Sequence, residues 1–95
     1  MNHIDNSFSE VLKKYGCDEM YTRPYDHSYG TRTFVLRFGS RYMRLVLNQW
    51  DLMELTFHVP YLTVEFTKHL KSEIEDFLLT GKNEITEEEL RTDSK

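Results

Sequence analysis

Only one cysteine, Cys17, two prolines and four glycines occur in the 95 residues. One cysteine cannot close an internal disulfide, so the fold must be held by a packed core, and a single thiol suits a reducing compartment. With so little proline and glycine, 39% hydrophobic and 14% aromatic residues exclude a low-complexity or disordered chain. Long apolar runs are also missing. Stretches such as Leu45 to Leu47 fall far short of the about 20 residues that a membrane-spanning helix needs. Met1 to Ser7 has neither the basic start nor the apolar run of a secretory signal. A cytoplasmic protein without a membrane partner is expected.

The residues of common reaction centres are equally sparse. His3, His27, His58, His69 and Cys17 are scattered singly, with no CxxC or HxxxH spacing, so no metal is expected. Cys17 and His27 are near in sequence but lie in no strand-turn-helix context that would pair a nucleophile with a base. Gly30 and Gly39 stand alone, so no glycine-rich loop is available to cradle a phosphate. No catalytic residue and no cofactor is expected, and the chain is not expected to be an enzyme.

Charge is present and unevenly placed. The net charge is −4. Residues 20–50 carry five arginines against Asp26, whereas residues 51–95 carry eleven acids against five bases. Such asymmetry steers partners of opposite sign to one region.

The pattern of apolar residues gives the elements. Ser7 and Glu10 have the form of a capping box; Phe8, Val11, Leu12 and Tyr15 follow at helical spacing, and Gly16 suits the left-handed stop. Residues 17–31 read as a tyrosine-rich loop, with a short edge strand at Met20 to Arg23 as one option. From Arg32 the period becomes two, and Gly39-Ser40 supplies a two-residue hairpin turn with glycine first. That turn sets Phe34 opposite Leu45, Val35 opposite Arg44, Leu36 opposite Met43 and Arg37 opposite Tyr42. A further strand is expected over Leu52 to Val59, with Leu45 beside Met53 and Arg44 beside Glu54. Thr63 caps a second amphipathic helix that ends at Gly81, with Phe66, Leu70, Ile74 and Phe77 on its apolar side. The expected fold is α+β: a short N-terminal helix, an antiparallel three- or four-stranded meander, and a C-terminal amphipathic helix packed on one sheet face. Residues 1–81 form the domain, and residues 82–95 read as an acidic, flexible tail.

Helix, three strands and helix is an order similar to that of double-stranded-RNA-binding domains. The second helix, however, opens Val64-Glu65-Phe66-Thr67-Lys68 and lacks the lysine cluster that grips phosphates in that family.

Two surfaces are candidates for binding. Arg37, Tyr42 and Arg44 share the outer sheet face with Val35 and Val46, giving a cationic, partly apolar strip. Tyr25, Tyr29 and Trp50 sit in loops or turns where rings are hard to bury, and tryptophan, tyrosine and arginine dominate protein interfaces. The expected function is non-catalytic protein binding by a small inhibitor, immunity-type or adaptor module, with self-pairing into a homodimer as one form of it. Nucleic-acid binding through the arginines is the alternative, disfavoured by the acidic total.

Overall fold

The computed structural model describes residues 3–57 and 62–93, with side chains described for 8–56 and 62–91. Eight elements follow one another: α1 (His3–Lys14), β1 (Glu19–Thr22), β2 (Thr31–Phe38), β3 (Arg41–Asn48), α2 (Gln49–Phe57), α3 (Val64–Thr80), β4 (Glu84–Ile85) and α4 (Glu87–Asp93). The four strands form one antiparallel sheet in the order β1-β2-β3-β4. The fold is therefore α+β, with an N-terminal helix, a four-stranded sheet and an amphipathic helix on one face.

The β2-β3 hairpin carries the centre of the sheet in the expected register: Phe34 faces Leu45, Val35 Arg44, Leu36 Met43 and Arg37 Tyr42. Gly39 adopts φ +67°, the positive value that its turn position demands and that a Cβ would disfavour. β1 supplies the fourth strand at Glu19–Thr22 and pairs Met20 with Leu36 and Thr22 with Phe34.

Strand alternation sends Phe34, Leu36, Phe38, Met43, Leu45 and Leu47 to one face. All six are buried, together with Phe8 and Leu12 of α1, Leu55 of α2, and Phe66, Leu70, Ile74 and Phe77 of α3. Phe8 meets Phe34 edge-on at 5.4 Å, and Phe38 meets Phe77 at the same separation. These contacts place α1 and α3 on that inner face. Thr63 caps α3 by accepting from the Phe66 N–H at 3.2 Å, and Gly81, at φ +77°, donates to the Phe77 carbonyl at 2.9 Å. A short helix and an open sheet edge could not persist alone; burial of this shared apolar layer holds them.

Three expectations are corrected. The helix α1 begins at His3, so Ser7 lies within it rather than capping it. Leu52 to Val59 does not form a strand. Residues 49–57 form α2, because Asn48 and Asp51 cap each other's backbone at the end of β3. Leu52 and Leu55, three apart, then turn to the core, and residues 58–61 lie outside the described residues. Glu54 consequently has no strand register with Arg44; its carboxylate accepts from the Thr63 N–H at 3.0 Å.

The segment expected as a tail after residue 81 contains β4 and α4. Ile85 pairs with Tyr42 on the outer side of the sheet and is buried, so the outer face is covered there by the chain's own C-terminal segment.

Candidate functional site

The outer face of the sheet is built from alternate residues: Tyr21 of β1, Val35 and Arg37 of β2, and Tyr42, Arg44 and Val46 of β3. Its arginines are answered by carboxylates of the same chain. Arg37 donates to Glu19 at 2.7 and 3.1 Å and lies 3.6 Å from Asp18. Arg44 reaches Glu89 of α4 at 3.4 Å. At the hairpin end, Arg41 donates to both oxygens of Glu84 and to the carbonyls of Phe77 and Leu78, and stacks 4.5 Å from the Phe77 ring centre. It thus satisfies the last carbonyls of α3.

These contacts set the protonation of the carboxylates. The Tyr21 hydroxyl, with Arg37 behind it, holds Glu19 below the usual carboxylate range. Arg41 does the same for Glu84. Glu89 is lowered first by hydrogen bonds from the Thr86 N–H and hydroxyl, then by Arg44. A cationic strip open to a polyanion is accordingly reduced to a mosaic of ion pairs.

Between β1 and α4 the outer face holds an open groove of about 290 Å³, lined by Tyr21, Thr22, Arg23, Val35, Tyr42 and Leu90. Val35, expected on an open strip, is only 2% exposed and belongs to the groove's floor. Tyr42 is half-buried beside Ile85, whereas Val46 remains 48% exposed. Leu52, expected at the start of a further strand, packs in α2 against the inner core.

The aromatic candidates gather at the opposite end from the hairpin turn. Pairing of Thr31 with Asn48 sets the loop before β2 beside the first turn of α2. Asp26 shapes that loop: its carboxylate accepts the N–H groups of Ser28 and Tyr29, and its backbone pairs with Thr31. The Gln49 amide donates to the Tyr25 hydroxyl at 3.5 Å, and Tyr25 packs edge-on against His27 at 4.9 Å. Tyr25 is thereby half-buried, while Tyr29 is 81% and Trp50 75% exposed. Met53, three residues after Trp50 and on the same side of α2, is 45% exposed.

Among the described residues no group of three or more His, Cys, Asp or Glu could hold a metal ion. Cys17 is buried and donates to the Glu19 carbonyl; burial pushes its thiol up, towards the protonated form. It borders the start of β1, whereas His27 lies in the loop at the other end of β2, so the two are not brought together. No described helix is long and apolar enough to cross a membrane.

Sequence reasoning missed Tyr21, Arg23, Glu89 and Leu90 as parts of the outer face. The apolar Ile85 and Leu90, in a polar run beside the Thr86-Glu89 capping box, were the available signal. Glu89 accepts from the Thr86 N–H and hydroxyl at 3.2 and 3.1 Å, and Thr86 caps Glu89 in return at 3.1 Å. Comparison with family models, curated proteins and solved structures finds no match to this chain.

Proposed function

We propose that the chain is a small, non-catalytic protein-binding module, of the inhibitor, immunity-type or adaptor kind, acting in the cytoplasm. The observation that carries this reading is the exposed end formed by Tyr29, Trp50 and Met53. Large rings held in water on a capped helix and a hydrogen-bonded loop lose little further entropy when a partner covers them. Val46, on the outer sheet face, is a further exposed apolar residue. The partner is a different protein rather than a second copy, because α4, Ile85 and the burial of Val35 interrupt the apolar strip that would favour self-pairing.

Nucleic-acid binding is the weaker reading, since Arg37, Arg41 and Arg44 each engage an internal carboxylate. The test is retention from nuclease-treated host extract, comparing the wild-type chain with Tyr29→Ala/Trp50→Ala. One protein held in stoichiometric amount, and lost from a folded double variant, is expected. Equal retention by both chains, or none, contradicts the reading.

A further inference from the structure

We infer that the open edge of β1 pairs with an extended strand of the partner protein, which sets a large apolar side chain at the outer groove and small side chains on the inner side. The inference rests on the protein-binding reading and adds the form in which the partner is recognised. β1 stands first in the sheet order, and among the described residues no strand pairs with its far side. The Arg23 N–H donates to the Thr33 carbonyl at 2.9 Å, which fixes the phase of the ladder: Tyr21 and Arg23 turn their backbone groups towards β2. Alternation turns the N–H and C=O of Met20 and Thr22 away from β2. Donors and acceptors at strand spacing are satisfied by an extended backbone, and not by a helix, whose own groups bond internally.

Sheet edges are commonly guarded by charge. Here Glu19, the one charged residue of β1, is drawn across the sheet by Arg37 and the Tyr21 hydroxyl. Hollows flank the edge on both faces. The outer groove, about 290 Å³, has Tyr21 and Thr22 on its β1 side and Val35, Tyr42 and Leu90 beyond. On the inner side Leu12, Lys13, Cys17 and Met20 border a hollow of about 70 Å³, which suits no more than a small side chain. A residue paired opposite Tyr21 points to the outer face, and its neighbours, opposite Met20 and Thr22, point to the inner face. The matching strand therefore alternates small, large apolar, small.

The occupant is the partner rather than a second copy. Two four-residue edges alone fall well short of the about 1,200 Å² that stable interfaces bury. For a partner seated on the aromatic end, the edge continues the contact. Thr22 lies opposite Phe34, three residues and so about 10 Å from Thr31, where the loop carrying Tyr29 closes on Asp26.

The test uses the full ¹⁵N-labelled chain and the blocked peptide Thr-Thr-Leu-Thr-Thr. Saturable amide shifts at Met20, Tyr21 and Thr22 are expected. N-methylation of the two threonines that flank leucine should abolish them, whereas N-methylation of leucine, whose N–H faces away, should not. Replacing leucine by aspartate should weaken binding about tenfold, because a charge replaces the apolar side chain at the groove. In the chain, Thr22→Pro removes an outward N–H without breaking the β1-β2 ladder and should weaken binding about tenfold, with Thr22→Val binding as the wild type does. The inference is overturned by the absence of saturation at millimolar peptide, by equal binding of the peptide N-methylated at both threonines, or by shifts confined to the Trp50 end. Concentration-dependent shifts at Met20 and Thr22 in the free chain would also overturn it, by giving the edge to a second copy. Capture of a partner that depends on Trp50 would survive each of these results, so failure here is separable from failure of the broader reading.

Discussion

Asn48 and Asp51 hold each other's backbone: the Asp51 N–H donates to the Asn48 side-chain oxygen at 2.9 Å, and the Asn48 N–H donates to the Asp51 carboxylate at 3.2 Å. This reciprocal cap turns the chain from β3 into α2 and so positions Trp50. Asn48→Ala should cost about 0.5 to 2 kcal/mol in urea unfolding, with faster hydrogen exchange concentrated in residues 49–57. A loss below about 0.2 kcal/mol, outside the range for such caps, would show that α2 does not depend on the pair.

Ile85 tests whether the C-terminal segment belongs to the domain. It is 4% exposed and lies opposite Tyr42. Ile85→Ala should therefore cost about 2 to 5 kcal/mol, as for a buried aliphatic side chain. A variant as stable as the wild type would mean that residues 82–95 form a detached tail.

How far the sequence discloses this fold depends on the range of each interaction. The hairpin was legible because Gly39-Ser40 and the alternation on either side agree locally, and they fix Leu36 against Met43. α2 was not, since Met53, Leu55 and Phe57 alternate as a strand would; Leu52 and Leu55, with the Asn48-Asp51 cap, fit a helix instead. The arginine placement was legible from register. Their carboxylate partners Glu84 and Glu89 were not, because they lie more than forty residues away from Arg41 and Arg44. The apolar Ile85 was masked by an acidic run whose composition alone suggests a solvated tail.

Acid should loosen the ion pairs that tie the sheet together. Glu19, Glu84 and Glu89 have lower affinity for protons in the folded chain than unfolded glutamate does. Their contribution is complete above the unfolded glutamate value of about 4.3 and is lost as pH falls through the lower folded values. The urea midpoint should fall on acidification through that range, and Glu84→Gln should reduce the fall. An identical pH dependence in Glu84→Gln would show that the Arg41 pair contributes nothing to acid sensitivity.

Nucleic acid provides the contrasting test. The internal ion pairs of Arg37 and Arg44 predict no useful affinity for duplex or single-stranded DNA or RNA at physiological salt. Submicromolar binding there, with a steep salt dependence flattened by Arg37→Ala/Arg44→Ala, would establish the arginine face as the working surface and displace the protein-binding account.

Trp50 is the chain's single tryptophan and is 75% exposed, so its fluorescence reports on the proposed contact without labelling. The most direct measurement is acrylamide quenching of Trp50 in the free chain and in the complex purified from host extract, using a tryptophan-free version of the partner for the fluorescence assay. The free chain should be quenched readily, with red-shifted emission. In the complex, quenching should fall markedly, as expected when a ring enters a desolvated interface, and emission should move to the blue. Unchanged quenching in a stoichiometric complex would contradict the account, because the partner would then be bound without covering the exposed aromatic end.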